Sequence, residues 1–147
     1  MEYKLINDSD EPIVAVVCDG IIMMASRRRD PLTMWAAITL GGDRHACCDE
    51  AVVAWDGGVP AGIATIAPDG ENGGGPEVIG LFVLEAHRRH GVGTELLMRA
   101  LARIRERGLG TARLDILSKP ASALVKKLPP DVLAGVAVRD QSHRVPF

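Results

Sequence analysis

The alternation of apolar and polar positions divides the chain into a short series of elements. Residues 51–55 (AVVAW) and 59–67 (VPAGIATIA) are apolar runs on either side of Asp56-Gly57-Gly58, the turn chemistry of a β-hairpin. Residues 77–84 (EVIGLFVL) are rich in Val, Ile, Leu and Phe, the composition of a central strand buried on both faces. Gly80 in its middle has no side chain to pack, and it marks a bulge or a close approach by a backbone or ligand. From Val92 the period lengthens. Val92, Leu96, Leu97, Ala100, Leu101 and Ile104 share one helical face, Glu95, Arg99, Arg103 and Glu106 fall on others, and Gly108 supplies the stop.

Around this centre the pattern predicts a first strand at residues 2–6 and a helix capped by Ser9 or Asp10 that runs to Ser26 and is closed by Arg27, Arg28 and Arg29. A second helix runs from Asp30-Pro31 to Leu40 and stops at Gly41-Gly42. Residues 68–76 (PDGENGGGP) read as a flexible loop. A strand follows at 111–117, then a helix from Pro120 that Pro129-Pro130 ends, and a last strand at 132–138. A hairpin ahead of a strand-helix-strand unit predicts an α/β (α+β) domain over residues 1–147, with a mixed central sheet and helices on both faces. A single domain of 147 residues buries roughly 68–70% of its unfolded surface, enough for a core without staples.

Between the central strand and its helix lies Arg88-Arg89-His90-Gly91-Val92-Gly93-Thr94. A helix start leaves backbone N–H groups unpaired at the positive end of the macrodipole, so it can hold an anion such as a phosphate. Two glycines let the backbone come close to that anion, and two arginines add positive charge. The spacing is not that of a dinucleotide-binding G-x-G-x-x-G, because Leu96 stands at the third glycine, nor of a P-loop, because no lysine follows Gly93. A nucleotide-binding domain with a degenerate cradle is kept as a rival reading. The pattern that fits is [QR]-x-x-G-x-[GA], and Arg88-x-x-Gly91-x-Gly93 between strand and helix resembles the acetyl-CoA-binding motif of the GNAT superfamily of N-acetyltransferases.

The resemblance extends over nearly the whole order of elements and implies a GNAT-type, mostly antiparallel sheet. It implies acetyl-CoA as co-substrate and no metal. Backbone groups of Leu81, Phe82 and Val83 would meet the pantetheine arm and thioester, and Arg88, Arg89, His90, Gly91, Val92, Gly93 and Thr94 would hold the pyrophosphate. Glu77 stands where the histone-acetylating branch carries its general base; read from the residues alone, it is equally a solvated glutamate at a strand end. Strand alternation places it on the side of Ile79 and Leu81. The family's N-x-x-A-x-x-F-Y-x-K-L-G becomes Ser118 to Pro129, with Ser118 replacing the asparagine as a cofactor contact and Val125 replacing the tyrosine that protonates the departing thiolate. Ser122 is a stand-in for that acid, and Tyr3 is the only tyrosine. The loss of the tyrosine motivates an alternative, a catalytically weakened acyl-CoA-binding regulatory module.

The remaining signals bound the partners. A net charge of -2 argues against a general nucleic-acid binder. The expected acceptor is a primary amine of a small molecule or peptide, attracted by an acidic rim drawn from Asp43, Asp49, Glu50, Asp69 and Glu71. His87 and His90 without a cysteine or carboxylate pair make a poor metal site. Cys18, Cys47 and Cys48 are odd in number, which favours a reducing cytoplasm, and the polar start and the short apolar run 13–24 give no membrane segment. Residues 139–147 leave little chain for a closing hairpin, so a homodimer is an expectation from length.

Overall fold

The computed structural model describes residues 1–7 and 47–144; the two helices expected between residues 8 and 46, with Arg27, Arg28, Arg29, Asp43 and Cys18, lie outside the described residues. Among the described residues six strands, β1 (Glu2–Asn7), β2 (Glu50–Asp56), β3 (Val59–Ala67), β4 (Glu77–Val83), β5 (Arg113–Ile116) and β6 (Ala137–Asp140), form one sheet in sequence order. The first three seams are antiparallel and the last two parallel. The parallel seams come from crossovers through α1 (Val92–Glu106), α2 (Lys119–Lys126) and α3 (Pro130–Leu133). The expected mixed, mostly antiparallel sheet is present.

Local chemistry explains most boundaries. The β2–β3 turn puts Gly57 and Gly58 at φ +56° and +88°, which a two-residue hairpin turn of the mirror-image type requires at both positions. The last strand is shorter than the apolar pattern suggested. Val132 and Leu133 belong to α3, which Pro130 starts at its first helical position, and the strand begins only at Ala137.

One sheet face carries Val52, Ala54, Ala64, Ile66, Val78, Leu114 and Ile116 against the apolar stripe of α1, Val92, Leu96, Leu97, Ala100, Leu101 and Ile104. Ala51, Val53, Ile63, Thr65 and Ala67, which alternate with them, are also buried. Glu50 is only 6% exposed and is held by Arg103, whose Nε and Nη2 each lie 2.8 Å from a carboxylate oxygen. Arg107 grips Asp49 in the same two-pronged way at 3.0 and 2.8 Å. These bonds hold both guanidinium pKa values above the usual arginine range and fasten the end of α1 to the start of β2. Asp49 and Glu50 are therefore structural, and their part in an acidic rim is overturned. Much of the helix's basic charge is neutralised in place.

Candidate functional site

Strand β4 has two unlike seams. Against β3 it pairs from Ala67↔Glu77 to Gly62↔Val83, with an irregularity between Ala64 and Ile66. Two β4 residues, Ile79 and Gly80, stand there opposite Thr65 alone, and the Gly80 N–H donates to Thr65 Oγ1 at 2.8 Å. This is the bulge that a mid-strand glycine forecast. It also corrects the expected facing. The extra residue shifts the alternation, so Leu81, paired with Ala64, turns to the α1 face with Val78, while Glu77 shares the opposite face with Phe82, paired with Ile63.

Against β5, β4 makes a single registered pair, Glu77↔Arg113, supported by Arg113 N–H donating to Pro76 O at 2.9 Å. Beyond it the strands part, leaving about 20 Å of β4 without a neighbour on that side. Leu84 N–H donates to Ala61 O, so alternation turns the backbone of Phe82 towards β3 and that of Leu81 and Val83 into the gap. The three expected contacts thus divide: the backbones of Leu81 and Val83 turn into the gap and that of Phe82 turns away from it. Arg88 lies 5.4 Å over the Phe82 ring and its Nε donates to Val83 O at 2.8 Å. The first residue of the motif therefore braces the strand end as well as adding charge.

The gap leads to the start of α1. Leu84 follows β4 and caps a 3-10 turn over Glu85–His87, and the chain reverses through Arg89 at φ +66° and Gly91 at φ +80°. Gly91 is the N-cap and no side chain accepts from the first helical N–H groups; the first intrahelical bond runs from Glu95 N–H to Gly91 O. Val92, Gly93 and Thr94 thus start a 15-residue helix with uncapped donors, with Arg89 and His90 exposed beside them. Gly93 has a different reason for lacking a side chain. It is buried, and a Cβ there would lie 2.8 Å from Leu124 Cδ1 and 3.5 Å from Val83 Cγ2. Gly93 lets the helix start pack on α2 and β4, whereas Gly91 supplies the left-handed turn.

Glu77 is 3% exposed, which removes the reading as a solvated glutamate. Its Oε1 accepts a long bond, 3.4 Å, from Glu71 N–H, and a Cβ at Gly70 would come within 3.3 Å of the same oxygen. The glycine loop is thus laid over the carboxylate, with Asp69 and Glu71 exposed on it. Ser118 is buried and caps α2, its Oγ accepting from Ala121 N–H at 3.2 Å. Ser122 donates its hydroxyl proton to Asp140 Oδ2 at 2.5 Å, and that bond, with those from Ser142, lowers the Asp140 pKa to about 2. A proton already given to a carboxylate is poorly placed for a departing thiolate.

Val125, at the usual tyrosine position, is 7% exposed and part of the core. Tyr3 sits on β1, with Arg99 4.8 Å over its ring, three strands away from β4. His87 Nε2 lies 2.9 Å from Asp56 Oδ2 and ties the hairpin tip to the segment before the cradle, which lowers the Asp56 pKa. Among the described residues no group of three His, Cys, Asp or Glu side chains could share a metal. No helix among the described residues is long and apolar enough to cross a membrane. Sequence reasoning had no signal for Thr65 or Arg113, because register alone brings them to β4.

Comparison with known proteins gives this geometry a family. The model of the acetyltransferase (GNAT) family matches residues 22–128. No curated protein sequence matches the chain. Among solved structures, a GCN5-related N-acetyltransferase from Ralstonia eutropha is 22% identical, with 87% of this chain and 92% of that one covered at a TM-score of 0.52. An aminoglycoside acetyltransferase from an uncultured soil metagenomic sample is 18% identical, with 88% and 90% covered at 0.59. A GNAT acetyltransferase from Brucella melitensis, solved in complex with acetyl-CoA, is 19% identical, with 76% and 73% covered at 0.54. At these identities the structures speak for the fold, which is shared, and the family model covers well over half of the chain. This chain, with its strands parted beside an uncapped helix start, belongs to the GNAT acetyltransferase family.

Proposed function

We propose that the protein transfers the acetyl group of acetyl-CoA to a primary amine by direct attack in a ternary complex. The observation that carries the reading is the parting of β4 from β5 after one pair, in a gap that runs to the uncapped start of α1. An extended pantetheine arm fits such a gap by completing the unpaired edge of β4, with Leu81 and the Val83 N–H as its backbone partners. The pyrophosphate then meets the N–H groups of residues 91–94, with Arg89 and His90 beside them.

The amine must attack as its free base, because an ammonium of pKa about 10.4 has no lone pair. Glu77, buried at the closed end of the gap, is the proposed proton acceptor, and its carboxylate has acceptor sites beyond the one long bond to Glu71 N–H. The amine nitrogen bonds to the thioester carbonyl carbon, a backbone N–H steadies the oxyanion, and the C–S bond breaks with its electrons on sulfur. A thiol of pKa about 8.5 is a good leaving group, so the thiolate takes its proton from water and no tyrosine is required. Ser118 supports the site by capping α2. The acceptor is a small molecule or peptide, and a cytoplasmic location accords with the odd number of cysteines.

The test is calorimetric titration of acetyl-CoA into wild type and a Gly91→Trp variant, followed by thiol release with a panel of amines. Saturable binding that the variant loses, with amine-dependent release of CoA, supports the reading. A folded wild type that does not bind acetyl-CoA ends it, and binding without turnover on any amine leaves a regulatory acyl-CoA binder in its place.

A further inference from the structure

The charge that the proposed chemistry leaves unused is Arg113. It is the registered neighbour of Glu77 at the point where β4 and β5 part, so the two side chains leave the same sheet face from backbones about 4.8 Å apart. No ion pair joins them: among the described residues no carboxylate bonds the Arg113 guanidinium, and the only bond to the Glu77 carboxylate is the long one from Glu71 N–H. Arg113 is nevertheless half-buried. Its Nη1 lies against Gly74, where a Cβ would displace it, and a Cβ at Gly70 would come within 3.3 Å of Glu77 Oε1. One glycine loop therefore covers both charges with backbone alone.

The arginines of the crossover helix are placed differently from Arg113 on β5. Arg103 and Arg107 are each spent on a carboxylate of the β2 start, and Arg99 is bonded to Glu95 at 2.7 Å. Arg113 keeps its planar fork, the geometry that matches a carboxylate, beside a buried acid at the closed end of the gap. Asp115, two residues along β5 on the same face, is half-buried and has no bonded partner among the described residues. A polycationic amine brought here would face Arg113, whereas an amine with its own carboxylate would place each charge beside its opposite.

We propose that the acceptor is a small amine bearing a carboxylate within a few bonds of the amino group, the class of the free amino acids, and that Arg113 binds that carboxylate while Glu77 faces the amine. This inference rests on the acetyl-transfer reading above. The experiment measures kcat/KM with acetyl-CoA for free α-amino acids, their carboxamides and their decarboxylated amines, with spermidine as the polycation, on wild type, Arg113→Gln and Arg113→Lys. Acetyl-CoA affinity and thermal unfolding of each variant are measured in parallel.

The expected result is a wild-type preference for the acid over its amide of on the order of tenfold to a hundredfold. Arg113→Gln should erase it by lowering the acid alone, and Arg113→Lys should restore part of it, with acetyl-CoA affinity unchanged. Equal or better use of amides, amines or spermidine by wild type overturns the proposal while leaving acetyl transfer intact. So does an equal loss on acid and amide in the glutamine variant. Failure of wild type to bind acetyl-CoA would instead strike the acetyl-transfer reading itself.

Discussion

The two ends of α1 are built on opposite plans. At its C-terminal end, Arg103 and Arg107 each grip a carboxylate of the β2 start in two-pronged bonds, and nothing is left for a ligand. At its N-terminal end, a glycine cap with a left-handed backbone supplies no side-chain acceptor, and the helix start meets the mouth of the β4–β5 gap. Both ends share the same apolar stripe against the sheet. The contrast teaches that an open helix start is a cost a fold can carry when the far end and the stripe fix the helix without it.

The largest expected effect comes from closing the open end. Gly91→Asp puts a carboxylate among the uncapped donors, and aspartate tolerates the left-handed backbone there better than most residues. Its Tm should stay near wild type while acetyl-CoA affinity, read by calorimetry, falls by on the order of a hundredfold. Equal binding would mean that the helix start is not where the pyrophosphate sits. Breaking the tied end should do the reverse. Glu50→Ala strips Arg103 of its two-pronged partner and leaves Arg107 with Asp49 alone, and a scanning unfolding experiment should find a Tm lower by roughly 5–10 °C with affinity of the folded protein unchanged.

A third test concerns acid rather than either end. The folded Asp140 pKa lies below its ordinary value, so its stabilising contribution is present above about pH 4 and disappears as pH falls towards 2. Ser122→Ala removes the main cause, and acid unfolding followed by circular dichroism should move to higher pH. The smallest effect belongs to the middle of α1. Arg99 and Glu95 pair four residues apart on an exposed face, and Arg99→Ala should change stability by less than about 1 kcal/mol, with any change weakened by salt.

Much of this architecture was legible in the sequence because it is fixed by local chemistry. Asp56-Gly57-Gly58 specified its turn, the stripe from Val92 to Ile104 specified α1, and Gly80 announced the bulge. What escaped depends on partners distant in the chain. The bulge moves Leu81 to the face opposite Glu77, and no alternation rule applied to residues 77–83 alone can register that. Gly93 read as an approach for phosphate, but its constraint is Leu124 on another helix. Asp49 and Glu50 are taken up by Arg107 and Arg103, more than fifty residues on, which no local pattern encodes. The expected last strand starts too early because Val132 and Leu133 are apolar in a helix as much as in a strand.

The bulge at Ile79 and Gly80 also sets a rule of inheritance for the gene. Most substitutions along β4 change one side chain and leave its neighbours where they were. Deleting the codon of Ile79 or Gly80 would close the bulge and leave Val78 opposite Ile66 and Leu81 opposite Ala64, on the faces they already hold, because a single residue would then stand opposite Thr65. The bulge is therefore a spare residue within β4, and a library that removes Ile79 or Gly80 should retain folded members that one inserting a residue elsewhere in the strand would lose.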